Sequence, residues 1–258
     1  MILAIDIGNT QTTLGAIEGD AVVCDWRLST RAPRTSDELA VTIDACFTLD
    51  GIHREQIEEV VIGSVVAHLT SQFEQACLKL MDRRVLVVDG RTPMPVANGY
   101  RAPEAVGVDR LANAVAGSKR FGTPLIVVDF GTATTFDVIS AKGVYEGGAI
   151  MPGPDLMADA LFSGTSRLPR VAIGKPESAI GRTTLESLQS GIFYSIAGGV
   201  DSLIDRIRAE LKAPSCKAVA TGGLGRLFFG HCATISAYEP FLTLFGLAEI
   251  WQFQKNRP

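Results

Sequence analysis

Two short stretches of this chain deliver an aspartate to a place where phosphate chemistry would use one. Leu3-Ala4-Ile5-Asp6-Ile7-Gly8-Asn9-Thr10 is an apolar run ending in Asp-Ile-Gly, with small amide and hydroxyl residues after it. Ile126-Val127-Val128-Asp129-Phe130-Gly131-Thr132-Ala133-Thr134-Thr135 repeats that pattern. An Asp at the carboxyl end of a buried strand stands where open α/β sheets bind ligands. The Gly lets the backbone come close to a ligand. The N–H groups and hydroxyls that follow can donate to phosphate oxygens. A carboxylate beside a phosphate is repulsive unless a cation lies between them, so Asp6 implies a metal ion, Mg²⁺ with water ligands. The alternative for one copy is an ordinary hairpin that uses Asp-x-Gly for its turn. Two copies in register weigh against that. Asp129 also follows three apolar β residues, where a charge with no task would be costly.

A third acidic position is Asp109 in Gly107-Val108-Asp109-Arg110, after a proline-containing loop and at a helix start. Two readings stand side by side. In one, Asp109 only complements the helix dipole and Arg110 pairs at the surface. In the other, Asp109 accepts the proton of a substrate hydroxyl and Arg110 holds an anion bidentately. The glycine cluster Thr221-Gly222-Gly223-Leu224-Gly225 borders a nucleotide or makes a tight strand-to-helix turn. Thr183 with Glu186 fits a helix-capping box, so its default role is structural. Nucleophilic catalysis has little support. The three histidines, His53, His68 and His231, lie in no motif, His68 reads as a packing residue, and no Gly-x-Ser-x-Gly elbow exists. Nor is there a Gly-x-x-x-x-Gly-Lys-Ser/Thr loop or a Gly-x-Gly-x-x-Gly after a strand.

The elements that must position these residues follow from periodicity. Strands are expected over 2–6, 12–17 and 21–28, then a helix capped by Thr35 and Glu38 that runs to about Phe47. A strand over 60–66, a helix over 71–81, a strand over 84–88 and a helix over 110–119 complete the first half. A shift of 123 residues lays Asp129 on Asp6, Gly131 on Gly8 and Thr135 on Thr12. A third strand over 145–150, helices over 155–162 and 186–211, a strand over 218–221 and a last helix over 242–254 follow. The chain is thus α/β, with two duplicated βββαβα-type halves and a boundary near residue 118. In the helix after Thr184, Ile192, Phe193, Ile196, Val200, Leu203, Ile204, Ile207 and Leu211 form an apolar face at helical spacing. That face packs inside its own half or docks on a second copy. Gly90–Glu104 is the longest irregular stretch and holds three prolines.

Composition narrows the partners. With 47% apolar residues in 258, the chain can bury a sizeable core. A net charge of −4 without a basic block argues against nucleic-acid binding. No apolar run is long enough for a bilayer, and Asp6 interrupts the first one, so neither membrane span nor secretory leader is expected. Five scattered cysteines without a CxxC make a structural zinc site unexpected and suit a reduced, cytoplasmic, soluble protein.

Taken in order, these motifs resemble those of type III pantothenate kinases, in the superfamily of acetate and sugar kinases, heat-shock chaperones and actin. Asp6–Thr10 is similar to the family's first phosphate motif, Asp129–Thr135 to its second, and Gly107–Arg110 to its Gly-x-Asp-Arg pantothenate motif. Gly147-Gly148-Ala149-Ile150-Met151-Pro152-Gly153, Leu168-Pro169 and Glu186–Gly191 also fall where the family has similar strings. The resemblance implies two ribonuclease H-like domains, 1–117 and 118–258. Each would be a mixed sheet of βββαβαβα type with helices, with an ATP cleft between the two and a dimerisation helix in the second. It implies ATP-dependent phosphorylation of the 4′-hydroxyl of pantothenate by a cytoplasmic homodimer using Mg²⁺ and K⁺ or NH₄⁺. Asp6, Ile7, Gly8, Asn9, Thr10, Gln11, Thr12, Thr13 and Thr132 would line ATP, with Mg²⁺ at Asp6. Tyr100, Gly107, Val108, Asp109 and Arg110 would bind pantothenate, joined by Thr184 from the partner subunit. Asp109 would be the proton acceptor, and Asp129 would hold the monovalent cation. The chain departs from the family pattern at Ala67-His68, where two prolines are common, and at Gly63, where Ser is usual. Another small-molecule kinase or a phosphohydrolase of the superfamily is one rival reading. A regulatory relative without turnover is the other, and intact Asp6, Asp109 and Asp129 argue against it.

Overall fold

The structure, a computed structural model, describes residues 1–257. They divide into two compact units, Met1–Lys119 with the chain from Phe241 onward, and Arg120–Pro240.

In the first unit the strands are β1 (Ile2–Ile7), β2 (Gln11–Glu18), β3 (Ala21–Ser29), β4 (Glu59–Ser64) and β5 (Val85–Val88), ordered β3-β2-β1-β4-β5. The first three form an antiparallel meander, and β4 and β5 run parallel to β1. Helices α1 (Ser36–Leu49) and α2 (Ala67–Met81) are the crossovers that parallel strands require. The expected Thr35–Glu38 capping box starts α1. Alternation sorts the sheet's side chains. Leu3, Ile5, Ile7, Leu14, Val60 and Ile62 meet Ile43 and Phe47 of α1 and Phe73 and Cys77 of α2 in one buried core.

The opposite face carries small residues, and α7 (Leu242–Lys255) closes on it. Leu244 fills the space above Gly15, and Leu247 fills that above Gly63. Sequence periodicity grouped this last helix with 118–258, whereas the structure counts it with the first unit. Gly246 lies so close to the Ala112 carbonyl that no side chain fits there. Thr243 Oγ1 and Asn113 Oδ1 are 2.8 Å apart, and Lys119 Nζ donates to Glu249 Oε1 at 2.6 Å. These contacts tie α7 to α3 (Val108–Phe121), the helix that begins with the Asp109 segment. A two-residue strand, β6 (Ala97–Asn98), interrupts the loop before α3.

The second unit repeats the topology. Its strands β7 (Leu125–Phe130), β8 (Ala133–Ile139), β9 (Val144–Pro152), β10 (Lys217–Thr221) and β11 (Ala237–Tyr238) take the order β9-β8-β7-β10-β11. β7 to β9 are an antiparallel meander, and β10 and β11 are parallel to β7. α4 (Pro154–Ser163), α5 (Thr184–Glu210) and α6 (Gly225–Phe228) complete it. The duplication reaches a fine detail. Val23 is the extra residue of a bulge in β3, and Glu146 is the extra residue of a bulge in β9, at matching places in the two hairpins.

The apolar face of α5 packs inside its own unit. Phe193, Ile196, Val200 and Ile204 join Ile126, Val128, Phe130, Phe136 and Phe228 in the core, with Leu203, Ile207 and Leu211 against its edge. Ile192 meets Ala158 and Val171. That face is therefore not the one that a second copy would cover. His68, read as a packing residue, is exposed in the first turn of α2. No helix among the described residues is long and apolar enough to cross a membrane.

Candidate functional site

Asp6 and Asp129 occupy equivalent places, each the penultimate residue of its strand and each half-buried. Across the antiparallel ladder Asp6 stands opposite Thr13, and Asp129 stands opposite Thr135. The turns differ in length. Gly8–Gln11 fill the first between the Ile7–Thr12 pair, and Gly131–Ala133 fill the second between the Phe130–Thr134 pair. The loss of one residue changes the repeat across the turn. Thr135 is thus the counterpart of Thr13 rather than of Thr12, and Thr134 corresponds to Thr12.

Each turn is braced in the same way. Gly8 N–H donates to Gln11 O, and Gly131 N–H donates to Ala133 O, both at 3.1 Å. Thr30 N–H donates to Thr10 O at 3.1 Å, and Gly153 N–H donates to Thr132 O at 3.2 Å. The N–H of each turn glycine is therefore committed within the turn. Asn9, Gln11 and Thr132 are exposed and Thr10 is half-buried, so all four can meet a ligand. Ile7 and Thr12 turn their side chains away into the protein, and only their main chain could take part. The Thr12 and Thr30 hydroxyls lie 2.8 Å apart.

On the parallel side the two aspartates have different neighbours. Asp129 is in register with Thr221 of β10, so hydroxyl residues flank it on both adjacent strands. Asp6 is in register with Gly63 of β4. A Cβ on Gly63 would lie 2.7 Å from Leu247 Cδ2 and 3.3 Å from Val108 Cγ1. The departure at Gly63 thus has a local cause: the space of the missing side chain is taken by Leu247. Ala67-His68, the other departure, simply opens α2.

Asp109 lies in the first turn of α3 and is half-buried. Its Oδ1 accepts the Arg110 N–H at 2.8 Å, while that N–H also approaches Gly107 O at 3.1 Å. A Cβ on Gly107 would collide with Asp109 Oδ1, so the glycine is what lets the carboxylate fold back against the helix start. Burial pushes the Asp109 carboxyl above its ordinary value, opposed by the Arg110 N–H and the Arg110 charge. A carboxylate raised in this way is a stronger proton acceptor. The loop before it is fastened to itself. Tyr100 N–H donates to Asn98 Oδ1 at 3.0 Å, and Asn98 Nδ2 donates to Pro103 O at 3.2 Å. Tyr100 itself is 38% exposed.

Thr184 is exposed at the first position of α5. Thr183 caps that helix through the Glu186 N–H at 3.2 Å, while Glu186 Oε2 accepts from Arg182 N–H at 2.7 Å. Among the described residues no three His, Cys, Asp or Glu side chains gather as a metal cage. Burial pushes the Cys77 thiol up to about 12, and burial with the Asp201 charge does the same for Cys232, so neither is a nucleophile near neutral pH.

Sequence spacing left Gly222 between a nucleotide border and a tight strand-to-helix turn, and did not connect it with Asp129. It has φ +87°, and a Cβ there would collide with Asp129 Oδ1 and lie 2.8 Å from the backbone N and C of Phe130. The glycine pair was visible in the sequence, but only the fold sets it against Asp129.

A family model described as type III pantothenate kinase matches residues 2–206. A type III pantothenate kinase of Geobacter sulfurreducens is 46% identical over 260 residues, covering the whole of both chains. One of Persephonella marina is 40% identical, over 99% of this chain and 100% of its own. Two solved structures share the fold at low identity. A conserved Campylobacter jejuni protein assigned to the Baf family of transcriptional activators has a TM-score of 0.61 at 20% identity, over 99% of this chain and 100% of its own. The activator of a 2-hydroxyisocaproyl-CoA dehydratase from Clostridium difficile, with bound ADPNP, has a TM-score of 0.55 at 14% identity, over 100% of this chain and 98% of its own.

Proposed function

The chain belongs to the type III pantothenate kinase family, and from that premise we infer that it moves the terminal phosphoryl group of ATP to the 4′-hydroxyl of pantothenate. The observation that carries the assignment of roles is the seat of Asp109. Its Oδ1 is fixed by the Arg110 N–H, and Gly107 leaves room for the carboxylate. Oδ2 is then the oxygen that takes the hydroxyl proton as the acceptor attacks. Arg110 and Tyr100 bind and orient pantothenate, together with Gly107 and Val108. Phosphoryl transfer asks for positioning and charge neutralisation more than covalent help, and one oriented carboxylate meets its need for a base.

The donor sets fit the cations that this chemistry uses. Asp6 with Thr13 across the ladder offers one carboxylate and hydroxyl oxygen, which suits Mg²⁺ completed by water and substrate phosphates. Asp129 between Thr135 and Thr221 offers an all-oxygen set without a second carboxylate, which suits K⁺ or NH₄⁺. When bound, these cations neutralise charge on the transferring phosphates. Asn9, Thr10, Gln11, Thr13 and Thr132 cradle the nucleotide phosphates, with the main chain of Asp6–Thr12. The active species is a cytoplasmic homodimer in which Thr184 reaches the partner's acceptor site. Exposed apolar side chains on α4 and around the start of α5 (Leu161, Phe162, Ile180, Leu185 and Tyr194) support such a contact better than the buried α5 face does.

An assay of ADP release decides the substrate. Pantothenate should give turnover that a panel of sugars and small alcohols does not. Equal rates across the panel would remove pantothenate as the acceptor.

A further inference from the structure

We infer that Gly222 is a positioning residue for the Asp129 carboxylate, so that the β10–α6 turn sets the geometry of the site proposed for a monovalent cation. The inference rests on the reading of Asp129 given above, and it adds a residue and a mechanism to it.

Three observations converge. Thr221, the last residue of β10, is in register with Asp129 and almost wholly buried, which brings the chain after it alongside the end of β7. Gly222 then takes φ +87°, a conformation that favours glycine, and its Cα faces Asp129 Oδ1 with no room for a Cβ between. The turn is also held from both sides. Leu224 N–H donates to Phe130 O at 3.2 Å, and Tyr238 Oη donates to Gly222 O at 3.4 Å. Gly225 in turn makes room for the Tyr238 ring, since a Cβ there would lie 2.6 Å from Cε2. The carboxylate is therefore confined on one side by main chain, which cannot swing away as a side chain could. A monovalent cation bound through one carboxylate depends on where that carboxylate stands.

Gly230 provides the control. It lies in the same unit with φ +85°, and a Cβ there meets nothing within 4 Å. Gly230→Ala thus imposes the same backbone strain without a collision. Gly222→Ala should melt lower than Gly230→Ala by a few degrees. It should raise the K⁺ or NH₄⁺ concentration for half-maximal turnover by about 10-fold to 100-fold, the scale of losing a group that orients a metal ligand. Gly230→Ala should leave that concentration unchanged. Combined with Asp129→Ala, Gly222→Ala should lose part of its extra melting penalty, because the Oδ1 collision is gone while that with Phe130 remains. If wild-type turnover ignores K⁺ and NH₄⁺, the cation reading of Asp129 falls, and the melting comparison alone then judges the role of Gly222. If the Gly222→Ala penalty is the same with and without the Asp129 side chain, Gly222 does not position Asp129 and the inference is overturned.

Discussion

In the first hairpin the buried hydroxyl of Thr12 lies 2.8 Å from that of Thr30; in the second, the equivalent Thr134 hydroxyl is buried with no hydrogen-bond partner among the described residues. The reason lies one strand away. Where the first unit has Thr30, the second has Gly153, and a Cβ on Gly153 would lie 2.6 Å from the Gly131 carbonyl and closer still to that of Thr132. The shorter second turn draws its carbonyls into the space that a side chain occupies in the first. One duplicated plan, with the same strand order, register and bulge, has thus been finished in two ways. The first aspartate has Gly63 beside it, under Leu247 of the chain's last helix. The second has Thr221 beside it and Gly222 against its carboxylate. Shared topology fixes where an acid stands, and the neighbours on the next strand decide what it can hold.

The largest expected effect falls on the feature that only the first unit has in this form, the Asp109 segment that opens α3. Asp109→Asn keeps the acceptor for the Arg110 N–H but removes the proposed base, and turnover should fall by about 10²–10⁴-fold. Folding should not suffer. A carboxyl raised by burial adds stability at low pH and loses it as pH rises through the raised value. The Asn variant should therefore melt at or slightly above the wild type at neutral pH, and that advantage should disappear in acid. In the wild type, kcat/KM should fall on the acid side at a pH above the ordinary aspartate range. Turnover above half the wild-type rate in the variant would reduce Asp109 to a helix-start charge.

A smaller but sharper effect separates the two turns. Asp6→Asn should shift the Mg²⁺ titration of activity and leave the K⁺ titration in place, and Asp129→Asn should do the reverse. Each shift should be about 10-fold or more, the scale of losing a charged ligand or one of its supporting groups. Crossed responses would exchange the two assignments, and unchanged titrations would remove both.

The smallest effect tests the unequal hydroxyls. Thr12→Val should cost about 1 kcal/mol or somewhat more, because it breaks a pair and strands the Thr30 hydroxyl. Thr134→Val should be close to neutral or stabilising, because it removes a buried hydroxyl that has no partner among the described residues. Chemical denaturation of both variants checks this, and equal costs would mean that the two hairpins do not differ in the way described.

Much of this was legible in the order of residues. An apolar run ending in Asp-x-Gly is a local pattern, and it located both hairpins, the duplication and the two half-buried aspartates. The Thr35 cap and the Gly107–Arg110 segment were equally local, since capping and turn chemistry involve neighbours in sequence. The apolar spacing of α5 located that helix but left its partner open, because period 3.6 reports that a face is covered without saying by what. Tertiary structure decided the rest. It sent the last helix back to the first sheet, where Gly15 and Gly63 leave space for Leu244 and Leu247. It set Gly222 against Asp129, across a chain separation that no spacing rule spans. It also shortened the second turn by one residue, which changed the partner of each threonine beyond it. Sequence patterns record which groups a segment must bury or expose; contact between distant segments is settled only when close packing leaves room for one arrangement.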